Sequence, residues 1–192
     1  MSLHPAIDSV PSPWVARFAP LISTGLVLDL ACGSGRHSRF LAARGLQVLA
    51  VDRDAAALQS LSGESIGTQC IDLEAEGSAD VRALLQPTRY AGIVVTNYLH
   101  RPLLPILFDS LIDGGVLIYE TFAEGNGAFG KPSNPAFLLN PGELLDAVRL
   151  ASCRVRVIAF EDGFQTMPRS AMVQRLCAMR ADTAPLPQAI VL

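Results

Sequence analysis

The run Leu26-Val27-Leu28-Asp29-Leu30-Ala31, passing at once into Cys32-Gly33-Ser34-Gly35, constrains this chain more than any other feature. A short apolar segment that empties into two closely spaced glycines, then into the helical pattern of Phe40, Leu41 and Ala43 up to Gly45, reads as strand, tight turn and helix. Glycine lacks the Cβ that would obstruct such a turn, so a ligand can come directly to main-chain N–H groups. Leu46 to Val51 is a second buried strand, closed by Asp52, 17 residues beyond Gly35. At about this spacing an acidic residue in dinucleotide-binding folds accepts hydrogen bonds from the ribose hydroxyls. The two features together call for a nucleoside-containing ligand.

The same alternation continues. Asp54 is placed to cap a helix carrying Ala55, Leu58 and Leu61, and Ile66 to Ile71 reads as a third strand. Ser78 to Leu85 reads as a helix, Gly92 to Thr96 as a fourth strand and Pro102 to Leu111 as a helix begun by proline. Asp113-Gly114-Gly115 is expected to turn the chain into a fifth strand, Val116 to Thr121. Such alternation implies right-handed crossovers and a parallel sheet. After a helix over Gly142 to Leu150, Cys153 to Phe160 and Ser170 to Arg180 are strand-like, with nine residues, Glu161 to Arg169, between them. A parallel crossover takes a dozen or more residues, so these last strands are expected to pair antiparallel. The fold class is therefore α/β, a Rossmann-like three-layer sandwich whose mostly parallel seven-stranded sheet ends in an antiparallel strand. Residues 1–192 are expected to form a single domain. Within it, 1–24 are an N-terminal extension and helix: Pro5, Pro11 and Pro13 make an extended leader, Ser12 caps, and Trp14, Val15, Phe18 and Leu21 recur at helical spacing. That helix is expected over the sheet or the mouth of the site.

Half the residues are hydrophobic and 17% are charged, the balance of a packed α/β domain rather than a disordered chain. A net charge of −3 and a pI near 5.6 offer no general attraction to a polyanion, which argues against nucleic acid as a partner. Cys32, Cys70, Cys153 and Cys177 are far apart and form no CxxC pair, so no metal site is expected and reduced thiols fit the cytoplasm. No stretch approaches the ~18 apolar residues of a membrane span, and no export signal is read at the N-terminus. A monomer or a homodimer fits equally.

A nicotinamide-binding GxGxxG would need glycine where Ser38 stands, so the pyrophosphate fingerprint is incomplete. The run Val27 to Asp54, VLDLACGSGRHSRFLAARGLQVLAVDRD, strongly resembles the glycine motif and second-strand acidic residue of class I S-adenosylmethionine-dependent methyltransferases, and most closely the small bacterial enzymes of the tellurite-resistance type. The resemblance implies S-adenosyl-L-methionine as cofactor. It implies that Asp29 and the backbone of Ala31, Cys32, Gly33, Ser34 and Gly35 surround the methionine and ribose portion, and that Asp52, with Arg53 beside it, holds the ribose hydroxyls. Asp72 and Leu73 would meet the adenine, and the Asn97 backbone would lie beside the sulfonium.

Methyl transfer by in-line displacement rests on alignment, so a base is optional. Tyr98 and His100 are the candidate catalytic residues, His100 as a base, with Arg101 steering an anionic acceptor; capping or packing at the next helix is an equal reading of His100. Tyr119, Glu120 and Thr121 leave the fifth strand nearby, and Arg36 and His37 either meet the cofactor carboxylate or brace the loop. Residues 123–140 are long for a connection and rich in Gly, Asn and Pro, which fits a substrate lid or a disordered loop; Phe122, Phe129 and Phe137 favour the lid. The acceptor is expected to be a small molecule. Asn97-Tyr98 lacks the prolines of the [ND]-P-P-[YF] signature, which lowers RNA or protein as acceptor. A non-catalytic S-adenosylmethionine-binding protein is the alternative outside enzymes.

Overall fold

A computed structural model describes residues 10–61, 63 and 65–183; the leader expected over residues 1–9, including Pro5, lies outside them. The strands are β1 (Leu26–Leu30), β2 (Gln47–Asp52), β3 (Ile66–Cys70), β4 (Tyr90–Thr96), β5 (Leu111–Phe122), β6 (Val155–Gln165) and β7 (Ala171–Arg180). They form one sheet in the order β3-β2-β1-β4-β5-β7-β6, with β7 antiparallel to both of its neighbours and the other pairings parallel. The helices are α1 (Pro13–Phe18), α2 (Arg36–Ala42), α3 (Ala55–Gln59), α4 (Ala79–Leu84), α5 (Leu104–Asp109) and α6 (Glu143–Leu150).

Side chains alternate across the central strands, so each strand feeds both faces. Leu28, Leu30, Ile93, Val95, Leu117 and Tyr119 pack under Leu84 of α4, Leu107 and Phe108 of α5 and Leu144 of α6. Val27, Val48, Val94, Ile118 and Cys177 point the other way and are covered by Trp14, Val15 and Phe18 of α1 and Leu41 of α2. Burial on both faces explains why these strands read as continuous apolar runs.

Local chemistry starts the helices where expected. The Ser12 hydroxyl accepts from Trp14 N, Asp54 from Ala56 N and Ala57 N, and Ser78 from Val81 N. The N-terminal helix lies on the sheet, its Trp14 Nε1 donating to the Leu176 carbonyl of β7. Three boundaries differ from the sequence reading. Residues 101–103 form a 3-10 turn before α5, so Pro102 opens that turn and not the helix. β5 begins at Leu111 and runs through Asp113-Gly114-Gly115, absorbing them as an irregularity against β4. β6 extends to Gln165, so only residues 166–170 join it to β7. No helix among the described residues is long and apolar enough to cross a membrane.

Candidate functional site

A cavity of about 400 Å³ opens at the carboxyl ends of the parallel strands, beside the crevice where strand order turns from β1 to β4. Ala31 lines it after β1, Asp52 and Arg53 after β2, Asp72 and Leu73 after β3, and Asn97 and Tyr98 after β4. Thr121 and Phe122 close the side at β5, and Pro132 and Phe137 come from the long loop. Ile71, Glu74 and Leu99, also in the wall, were not singled out from sequence; each directly adjoins a residue that was.

The glycine loop acts by shape. Ala31, Gly33 and Gly35 have φ of 53°, 55° and 75°, and Asn97, at the end of the adjacent strand, has φ 55°. A left-handed alanine is a strained conformation that surrounding structure must impose, and two such residues stand side by side at one cavity. The loop's amides are largely spent within the protein. Cys32 N donates to Val51 O (3.0 Å), Gly35 N to Cys32 O (2.9 Å) and Gly33 N to Asp52 Oδ2 (2.7 Å). The expectation of free amides waiting for a ligand is therefore corrected: these three shape the loop and orient Asp52. Asp52 Oδ1 also accepts from Asp54 N (2.9 Å). An ionised carboxylate has about four lone-pair positions, so acceptor capacity remains at the cavity wall.

Several candidate residues stand elsewhere. Asp29 is 1% exposed and accepts from Ser38 Oγ at 2.5 Å, locking α2 to β1 outside the cavity wall. Burial raises its pKa to about 6, against the lowering effect of the Ser38 hydrogen bonds. Cys32 is buried, its thiol pKa raised by burial, and Cys32, Gly33, Ser34 and Gly35 form the loop behind Ala31 rather than the wall itself. His37 braces: its Nε2 accepts from Ser12 N (3.1 Å), which leaves Nδ1 to donate to Thr96 Oγ1 (3.3 Å). Burial lowers its pKa to about 3, so it is neutral.

Tyr98 does line the cavity, and its buried hydroxyl has no hydrogen-bond partner among the described residues. Burial first, then Glu74 and Asp72, raises its pKa, so the phenol stays protonated and is a donor, not a base. His100 precedes the 3-10 turn, makes no side-chain cap bond and is not part of the cavity wall. Arg101 is not available for steering. Its Nε and Nη2 fork onto Glu143 (2.7 and 3.0 Å), while Nη1 and Nη2 donate to the Ala136 and Leu138 carbonyls (2.9 and 2.8 Å). Tyr119 donates to the Tyr98 carbonyl (2.7 Å), and Glu120 is paired with Arg175 (2.5 Å).

The long loop is ordered by its own polar groups. Asn126 Nδ2 donates to Pro132 O (2.8 Å), its Oδ1 accepts from Met172 N (3.1 Å), and Ala123 bridges Leu139. Phe122 and Phe137 reach the cavity, whereas Phe129 packs on Phe164 of β6, ring centres 4.8 Å apart. Among the described residues no group of three or more His, Cys, Asp or Glu is arranged to hold a metal ion.

A second cavity, about 650 Å³, lies on the other side of Asn97 and Phe122, which line both. Its walls include Arg36, Glu120, Gln165, Arg169 and Arg175. Sequence reasoning missed the contribution of β6 and β7. Because β7 is reversed, its start and the end of β6 lie at the same sheet edge as the carboxyl ends of the parallel strands, and an antiparallel hairpin tip was the available signal.

The sheet order, the reversed strand and a site at the carboxyl edge define the class I S-adenosylmethionine-dependent methyltransferase fold. Residues 13–108, half of the chain, match the family described as tellurite resistance protein TehB, and the chain belongs to that family. It is similar in structure to TehB from Haemophilus influenzae, with TM-score 0.68 and 18% identity over 88% of this chain and 62% of that one. The chain thus spans about three-fifths of that relative's length. An S-adenosylmethionine-dependent methyltransferase from Mesorhizobium loti matches with TM-score 0.67 and 16% identity, over 88% of this chain and 96% of that one. The [4+2]-cyclase SpnF also matches, with TM-score 0.64 and 12% identity over 87% and 79%. At these identities the likeness is one of fold, and the cyclase illustrates that the fold alone does not define the reaction. No curated protein matches the chain by sequence.

Proposed function

We propose that this chain binds S-adenosylmethionine in the first cavity and transfers its methyl group to a small molecule. The observation that carries the reading is Asp52, held at the cavity wall by Gly33 N and Asp54 N with acceptor capacity to spare for vicinal hydroxyls. The rest of the lining suits the same ligand. Leu73 and Leu99 supply apolar surface for a flat base, Asp72 a carboxylate beside it, and the Tyr98 hydroxyl a buried donor in want of an acceptor.

The bound donor supplies a methyl on a cationic sulfur, released in line with the carbon–sulfur electron pair returning to sulfur as the acceptor bond forms. The chain's task is alignment, which can contribute about 7–11 kcal/mol without a base. The strained backbones at Ala31 and Asn97 and the apolar side chain of Phe122 fix the path of approach, and Phe137 with its loop acts as the lid that keeps water out. The four free cysteines fit a reducing compartment, and the cytoplasm is the site of action we infer.

Calorimetric titration with S-adenosylmethionine and S-adenosylhomocysteine tests the reading, followed by incubation with methyl-labelled donor and a metabolite extract. Binding of both ligands and a labelled small product are expected. Asp52→Asn should bind at least about tenfold more weakly, because charge-assisted hydrogen bonds contribute about 1.5–3 kcal/mol each. No affinity for either ligand would overturn the donor site, and label confined to RNA or protein would overturn the small acceptor.

A further inference from the structure

We infer that the second cavity receives the methyl acceptor, and that this acceptor is an organic anion with an apolar body; the inference rests on the first cavity holding the donor. Asn97 and Phe122 line both cavities, so a group in the second abuts the first at that junction.

The charges of the wall are unequally committed. Arg175 is fully engaged, with Glu120 (2.5 Å), Glu161 (3.0 Å) and the Gln165 side-chain oxygen. Arg36 and Arg169 have no ion pair or side-chain hydrogen bond among the described residues. Arg169 lies over the Phe122 ring, 5.0 Å from its centre, so its guanidinium stands at the junction with its N–H donors uncommitted. Two uncommitted guanidinium groups at one cavity recruit a carboxylate or a comparable anion.

Charge alone does not describe the space. Pro11, Pro13, Phe122 and Val173 make an apolar wall, and about 650 Å³ is the volume of a pocket for a small organic molecule, far beyond what an inorganic oxyanion fills. The carboxylate in the wall, Glu120, is held by Arg175, so this wall offers no uncommitted base, and an acceptor that arrives already ionised needs none. The step then balances without a base. The anion's lone pair forms the new bond to the methyl carbon, the carbon–sulfur pair goes to sulfur, and sulfonium and anion both become neutral with no proton left over.

The test uses the full chain saturated with S-adenosylhomocysteine. Alkyl and aryl carboxylates of graded length are titrated against it, together with their primary amides, and with inorganic phosphate and selenite as anions lacking an apolar body. Carboxylates of suitable length should bind, the amides at least about tenfold more weakly, and Arg169→Gln should weaken carboxylate binding about tenfold while leaving S-adenosylhomocysteine affinity unchanged. An unfolding midpoint checks that the variant, changed at an exposed position, still folds. Equal binding of acids and amides, phosphate or selenite binding as tightly as the best carboxylate, no carboxylate bound, or Arg169→Gln without effect would each overturn the proposal. Loss of S-adenosylhomocysteine binding by the wild-type chain would instead overturn the donor site.

Discussion

Asp29 is a buried carboxylate near the carboxyl end of β1. It is ionised at neutral pH yet 1% exposed, with its pKa raised to about 6 from a reference of 3.8, chiefly by burial. A carboxyl whose folded pKa is raised adds stability below its unfolded value, and that contribution is lost as the pH rises through about 6. At pH 7 the penalty is roughly 3 kcal/mol. Asp29→Asn keeps an acceptor for Ser38 without the charge. Its stability relative to wild type should therefore rise as the pH goes from 4 to 7, as urea unfolding at both pH values would show. His37 works in the opposite sense. Its depressed pKa removes stability as the pH falls from about 6.5 towards 3, but it is common to both proteins and cancels in the comparison. The glycines divide similarly. A Cβ on Gly33 meets nothing within 4 Å, whereas one on Gly35 would sit 2.2 Å from Leu61 Cδ2. Both have positive φ, so Gly33→Ala should cost about 1–2 kcal/mol from strain alone. Gly35→Ala should cost a further 1–3 kcal/mol for overpacking Leu61, read as the difference between their denaturant midpoints. That contrast was invisible in the sequence, where both glycines serve one turn; only the fold brings Leu61 against the second.

At the scale of elements, one side chain ties the later part of the connection from β5 to α6 to that helix. Arg101 forks onto Glu143 of α6 and holds two carbonyls of the loop, at Ala136 and Leu138. Arg101→Ala removes all four bonds and leaves those carbonyls to water. Faster proteolytic cleavage within residues 123–140 and faster amide exchange there are expected, with little change in global unfolding. Arg101→Lys should fall short of wild type as well, because an ammonium cannot reproduce the fork. Unchanged cleavage would mean that Asn126 and the Ala123–Leu139 bridge suffice. The helices and the central parallel strands of this chain were legible because burial on two faces leaves continuous apolar runs and because Ser12, Asp54 and Ser78 mark where helices begin. Residues 101–103 and 111–115 were misread for the converse reason. A proline or a pair of glycines states that the chain departs from regular geometry, not how it does so, and the register of β4 on β5 settled that locally.

For the whole molecule, ligand binding and folding are linked through the loop, Asp52 and the strand ends that meet at the first cavity. If S-adenosylhomocysteine binds only the folded chain, a concentration 100 times its Kd adds about 2.7 kcal/mol. For a chain of this size that raises Tm by about 5–10 °C, and a thermal shift titration would read it directly. An unmoved Tm at saturating ligand would contradict the donor site. The fold class, the reversed strand and the candidate donor pocket were legible in the sequence, because periodicity, turn chemistry and one glycine-rich strand exit are local properties of neighbouring residues. The second cavity was not. Arg36, Glu120 and Arg169 lie far apart along the chain, and whether an arginine is paired, as Arg101 and Arg175 are, or left with its donors uncommitted, depends on which carboxylates the sheet brings beside it. Such pairings are long-range contacts, fixed only when the strands are in register, and with them the tertiary structure decided which charges face a ligand.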